Sequence, residues 1–164
     1  MIAKYDRISA VNYAKLWHNL RNPKYYNFNL IGGDCTNFAS QCLYAGAKTM
    51  NYTKDLGWYY NSAKDRSASW AGVEFFYNFI TNNNITPIGS GAGPFGIESN
   101  LSNINIGDFI QLYNGSNFYH TLIITGFDGN IPLLTAHTND VLNKPLIEYN
   151  FYSYRCIKIL GIRK

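Results

Sequence analysis

Phe109-Ile110-Gln111-Leu112-Tyr113, then Asn114-Gly115-Ser116-Asn117, then Tyr119-His120-Thr121-Leu122-Ile123-Ile124-Thr125-Gly126 is the stretch that decides the fold. Gly107-Asp108 introduces the first apolar, β-branched run, and Asn-Gly between two such runs is a strong hairpin signal. Asp128-Gly129-Asn130 ends the second run, and Pro132-Leu133-Leu134-Thr135-Ala136-His137-Thr138 follows as a third strand. These three antiparallel strands carry His120 and His137, two of the three histidines of the chain. A symmetric register around the second turn predicts His137 close to Tyr119 and His120, at one end of the sheet.

Upstream of the strands the apolar spacing turns helical. In residues 9–20, Ala10, Tyr13, Ala14, Trp17 and Leu20 form one stripe, so His18 flanks a buried helix face and reads as structural or exposed. Gly32-Gly33-Asp34-Cys35-Thr36-Asn37-Phe38 places a cysteine where a glycine-rich loop becomes an amphipathic helix. Asp34 is its expected cap, Phe38, Ala39, Cys42 and Leu43 repeat at helical spacing, and Gly46 is the expected C-cap. At a helix N-terminus, unpartnered N–H groups and the helix dipole favour thiolate, and the same N–H groups suit an oxyanion. A lone cysteine is otherwise a small buried hydrophobe. Trp70, Val73, Phe76, Tyr77 and Ile80 predict a further helix capped by Ser69. Residues 51–67, with Trp58-Tyr59-Tyr60, are expected either to wall a cleft or to join the core, and the glycines of 87–96 give that segment the composition of a lid.

Composition narrows the class. With 164 residues and 46% hydrophobic content the chain has the mass for one core. A net charge of +4, with lysines and arginines scattered, gives no basic stripe and argues against a nucleic-acid partner. Cys35 and Cys42 lie two turns apart on one helix, about 10 Å along its axis, too far for a disulfide. Without a Cys-x-x-Cys or closely spaced histidine pair there is no zinc signature, and no metal or cofactor is expected. No run approaches a membrane span, and Met1-Ile2-Ala3-Lys4-Tyr5-Asp6-Arg7 lacks the apolar centre of a signal peptide. The expected location is cytoplasmic, or extracellular and at the cell wall if an export segment lies outside these residues.

The block Gly32-Gly33-Asp34-Cys35-Thr36-Asn37-Phe38-Ala39-Ser40-Gln41-Cys42, with Gly107-Asp108-Phe109-Ile110-Gln111-Leu112 and Tyr119-His120-Thr121-Leu122-Ile123-Ile124-Thr125, resembles the bacterial "putative amidase domain" family, within the papain-like NlpC-type and CHAP-type cysteine peptidase group. Tyr13-Ala14-Lys15-Leu16-Trp17, Asn22-Pro23-Lys24-Tyr25-Tyr26, Trp70-Ala71-Gly72-Val73-Glu74-Phe75-Phe76 and Thr135-Ala136-His137-Thr138-Asn139-Asp140 extend the resemblance over nearly the whole chain. It implies one α+β domain over residues 1–164, with N-terminal helices carrying the cysteine packed on an antiparallel sheet carrying the histidine. It implies Cys35 as nucleophile and His120 as general base. The orienting group is His137, with Asn139 and Asp140 just beyond as alternatives. Asn29 is the nearest amide for an oxyanion site, and Asp34 either caps the helix or helps orient the centre.

Such a centre performs acyl transfer. The sulfur attacks an amide, peptide or thioester carbonyl, the imidazole passes its proton to the leaving group, and water or an amine releases the acyl-enzyme. The expected activity is therefore that of an amidase or peptidase, or of a transferase forming an amide from a carrier-bound thioester. The alternative is an inactive papain-like module that binds peptides.

Overall fold

A computed structural model describes all of residues 1–164. In chain order the elements are β1 (Ile2–Ala3), α1 (Arg7–Trp17), α2 (Cys35–Ala47), β2 (Tyr60–Ser62), β3 (Asp65–Arg66), α3 (Ala68–Ala71), α4 (Val73–Ile85), β4 (Gly93–Ser99), β5 (Phe109–Tyr113), β6 (Phe118–Asp128), β7 (Ile131–Ala136), β8 (Val141–Pro145) and β9 (Ser153–Arg163). The main sheet runs β1-β9-β5-β6-β7-β8, with β4 on the other edge of β9. Every pairing in it is antiparallel.

Both turns expected from sequence join neighbouring strands, because each lies between runs that alternate across the sheet. The alternation builds two cores. Phe109, Ile123, Ile157, Ile159 and Ile162 face one side and pack with Ala10 and Ala14 of α1, Phe38, Ala39, Cys42 and Leu43 of α2, and Phe76, Phe79 and Ile80 of α4. Ile110, Leu112, Leu122, Ile124, Leu134 and Cys156 face the other side, where Ile104 and Leu146 cover them. All helices thus lie on one face, and a smaller core closes the opposite face.

Helix α2 sits at the centre and departs from the amphipathic pattern. It is buried nearly all round, so its polar side chains need partners inside the protein. They have them: Tyr13 Oη donates to Gln41 Oε1 at 2.6 Å, Trp58 Nε1 to Ser40 Oγ at 3.0 Å, and Trp70 Nε1 to Asn37 Oδ1 at 2.9 Å. The helix also runs through Gly46 and ends at Lys48, which takes the left-handed conformation and donates its N–H to the Tyr44 carbonyl. Gly46 is therefore not the cap. A Cβ there would lie 2.4 Å from the Asp6 carbonyl oxygen, so glycine is needed for the close approach of the 5–6 backbone.

Two other sequence expectations are corrected, and one open choice is decided. The helix expected after Ser69 divides at Gly72 into α3 and α4, and Ser69 lies inside α3, donating to the Gly57 carbonyl. Of the two roles open to residues 51–67, Trp58 takes the core one and is wholly buried in the larger core. The 87–96 segment is not a free lid. Asn51 Nδ2 donates to the carbonyls of Ile88 and Ala92, both at 2.9 Å, and its C-terminal part enters β4 beside β9.

Candidate active site at the start of α2

Cys35 is the first residue of α2 and is 7% exposed. Burial pushes its thiol above the usual value, against the backbone N–H of Thr121 and the hydroxyl and N–H of Thr36, which favour the thiolate. The Asp34 carboxylate adds to the rise. The side-chain neighbour of Sγ is Thr36 Oγ1 at 3.8 Å, and Thr36 Oγ1 in turn lies 2.9 Å from Thr121 Oγ1 on β6. These contacts place the sulfur between the helix start and the first half of β6.

Asp34 does not cap α2 with its side chain. Its carboxylate turns inward. Oδ1 accepts from the Phe28 N–H at 2.8 Å and from Asn37 Nδ2 at 2.9 Å, while Oδ2 accepts from His137 Nδ1 at 2.6 Å. The loop of residues 29–33 is tied across its base by this carboxylate, and Gly32 and Gly33 take positive φ to make the bend. The Thr138 hydroxyl accepts from the Asp34 N–H at 3.1 Å, fixing the loop after β7 to the helix start.

His137 is buried, and its ring stacks on Phe38 with centroids 3.8 Å apart. Its Nε2 lies 2.8 Å from the Trp17 carbonyl and 3.2 Å from Arg21 Nη1. Arg21 grips Asp140 through two nitrogens, at 2.9 and 3.1 Å, and its Nε lies 3.6 Å from Asp34 Oδ2. Asp34, His137, Arg21 and Asp140 are thus one ionic network at the start of α2.

His120 lies elsewhere. On β6 it pairs with Leu112, and side chains directly opposite in a sheet share a face, so it lies on the side of Leu112 and Leu122. Thr121, one residue on, faces α2. Strand alternation thus places the His120 and Cys35 side chains on opposite faces of the sheet in this structure, and no hydrogen bond joins Cys35 to any histidine. His120 packs near Tyr119 and Tyr149, and burial, with a smaller contribution from Lys144, lowers its pKa to about 4. The register of β6 and β7, with Ile123 opposite Thr135, runs His137 towards the same end of the sheet as His120, but His137 lies on the α2 side, so the two rings sit on opposite faces.

Asn29 is exposed, and its N–H donates to Asn27 Oδ1 at 3.0 Å. Asn139 is exposed with φ +59°. His18 follows α1, its Nδ1 2.9 Å from the Lys15 carbonyl. Cys42 and Cys156 are buried and unbonded in the larger and smaller core. Sequence reasoning missed Arg21, which no motif marks, and Gln111 and Thr121. For these two a signal existed, since both are polar residues at helix-facing positions of otherwise apolar strands.

A family model described as "Putative amidase domain" matches residues 4–159. The chain is 34% identical over 142 residues to the "Uncharacterized protein YhbB" of Bacillus subtilis (strain 168). That alignment takes in 84% of this chain and 42% of the relative, so the chain spans less than half of its length. No solved structure matches. With all its helices and the start of α2 inside the matched residues, the chain belongs to the "Putative amidase domain" family.

Proposed function

We propose that this chain cleaves amide bonds with Cys35 as nucleophile, in a papain-like arrangement of a helix-borne thiol against an antiparallel sheet. The observation that carries the reading is the position of Cys35 at the first residue of α2, next to the buried Asp34–His137 pair. Family membership supports amide chemistry, and the helix N-terminus supports a thiolate there.

The sulfur attacks the amide carbonyl carbon, forming a C–S bond and placing the carbonyl's electron pair on its oxygen. Collapse breaks the C–N bond, the amine leaves with the proton taken from the thiol, and water hydrolyses the thioester to a carboxylic acid. Backbone N–H groups in the first turn of α2 hold the oxyanion. His137, oriented through Nδ1 by the Asp34 carboxylate, is the acid–base group, and Arg21 with Asp140 holds that pair in place. For the imidazole to serve Cys35, Nε2 exchanges the Trp17 carbonyl for the sulfur.

A second assignment gives the acid–base role to His120, favoured by the irregularity in β6. The pairing skips Tyr119, with Phe118 opposite Tyr113 and His120 opposite Leu112. Moving this bulge by one residue turns His120 to the face of α2.

The test is intact-protein mass spectrometry and product analysis with a panel of peptide amides and acyl thioesters, with and without added amine. The expected result is an acyl adduct on Cys35 and turnover that Cys35→Ala abolishes. Loss in His137→Ala with activity kept in His120→Ala supports the first assignment, and the converse the second. Release faster with amine than with water identifies a transferase. Turnover that survives Cys35→Ala overturns the proposal, and binding without adduct or turnover leaves a peptide-binding module.

A further inference from the structure

A chain of hydrogen bonds runs from a buried cation to the candidate thiol. Arg155 on β9 is sandwiched between the rings of Tyr77 and Phe118, its guanidinium carbon 3.6 and 3.7 Å from their centroids. Its Nε and Nη2 both donate to Gln111 Oε1, at 2.8 and 2.7 Å, and Nη2 also meets Glu74 at 2.9 Å. Gln111 is wholly buried on β5, and its Nε2 donates to the Val73 carbonyl at 2.9 Å and to Thr121 Oγ1 at 3.1 Å. Thr121 Oγ1 reaches Thr36 Oγ1 at 2.9 Å, and Thr36 Oγ1 lies 3.8 Å from Cys35 Sγ.

The direction of the first links of this chain is fixed. A guanidinium only donates, and a backbone carbonyl only accepts, so Gln111 must present its oxygen to Arg155 and its NH2 to Val73 and Thr121. Thr121 Oγ1 takes that proton on one lone pair, which leaves its own hydrogen available to Thr36 at 2.9 Å. Thr36 Oγ1 then accepts, and its hydroxyl hydrogen is left to point at the sulfur. Arg155 and the Val73 carbonyl thus fix the sense of the first links, and the two hydroxyls that follow carry it on to the sulfur.

We propose that Arg155, Gln111, Thr121 and Thr36 form a polarised relay whose role is to aim a hydroxyl donor at Cys35, making these four positioning residues for the thiolate. The bearing on catalysis rests on Cys35 being the nucleophile, whereas the relay itself is read from the ionisation of the thiol. Strands β5, β6 and β9 and helix α2 all contribute, so the sheet and α2 must be docked for the sulfur to receive its donor. Glu74, at the outer end, is partly exposed and anchors the guanidinium without taking part in the directional chain.

The test is the pH dependence of iodoacetamide labelling at Cys35, read by peptide mass spectrometry on the full chain, with Cys42 and Cys156 as internal references. Thr36→Val is expected to raise the labelling midpoint and slow labelling below it about tenfold, the effect of one hydrogen bond to a charged atom. Thr36→Ser is expected to restore it. Gln111→Leu, which never touches the sulfur, is expected to shift the midpoint the same way by about two- to threefold in rate, and to add nothing in a Thr36→Val background. Should Gln111→Leu fold poorly, Thr121→Val against Thr121→Ser asks the same question. An unchanged midpoint in Thr36→Val, or an equal shift from Gln111→Leu with and without Thr36, overturns the relay. Failure of Cys35-dependent turnover with these shifts intact overturns the nucleophile assignment alone.

Discussion

Asp34→Ala is predicted to destabilise the protein by about 3–5 kcal/mol. The side chain is 1% exposed and accepts from three groups: the Phe28 N–H at 2.8 Å, Asn37 Nδ2 at 2.9 Å and His137 Nδ1 at 2.6 Å. Alanine leaves all three donors without this acceptor inside the protein. Each orphaned buried donor costs about 1–3 kcal/mol, and removing one partner of a buried ion pair costs about 3–5 kcal/mol. Three donors thus give about 3–9 kcal/mol, and the two routes overlap at about 3–5 kcal/mol. For a domain of this size each kcal/mol lowers Tm by about 2–4 °C, so a fall of about 10 °C is expected by calorimetry or circular dichroism. Asp34→Asn separates donor count from bulk. Its Oδ1 still accepts from Phe28 and Asn37, and only the contact with His137 is spoiled, for about 1–3 kcal/mol. A melting point for Asp34→Ala within 2 °C or so of wild type, or an Asp34→Asn loss equal to that of Asp34→Ala, would refute the reasoning from buried donors.

Two further outcomes follow from geometry outside the network. The His120 pKa falls from 6.5 to about 4 on folding, so between those values the unfolded chain binds a proton that the folded chain refuses, and stability declines as pH drops through that window. The decline owed to His120 is about 2–3 kcal/mol, and urea midpoints measured from pH 7 to 4 should show a correspondingly flatter profile for His120→Gln. Gly46→Ala should cost about 2 kcal/mol in chemical denaturation although alanine is the better helix former, because its Cβ would sit 2.5 Å from the Tyr5 ring and 2.4 Å from the Asp6 carbonyl. A gain in stability would mean that this approach relaxes freely.

The sheet was legible where turn chemistry and period coincide. Asn114-Gly115 and Asp128-Gly129 bracket runs whose alternation leaves little choice, and β5, β6 and β7 form there. β4 and β9 escaped because Gly93, Gly96 and Gly161 break the pattern, Gly96 where a Cβ would lie 2.2 Å from the Lys158 carbonyl oxygen. The helix starting at Cys35 was legible from its glycines and its apolar spacing. Its surroundings were not, since Ser40, Asn37 and Gln41 look solvent-facing until Trp58, Trp70 and Tyr13 are known to cover them. At the candidate site, Asp34 and His137 were named, but their mutual bond is a tertiary fact, with 103 positions between them. The orientation of His120 turned on one bulged residue, and a period of two converts an error of one position into the wrong face.

Each core of this protein encloses one free thiol, Cys42 among the helices and Cys156 beneath the other face of the sheet. Burial pushes the first far above its usual ionisation and the second up to about 12, so neither reacts until its own surroundings open. The two cysteines are thus built-in clocks for two regions that share a single sheet. Timed thiol trapping would reveal whether the halves come apart together or whether one face peels away while the other still holds.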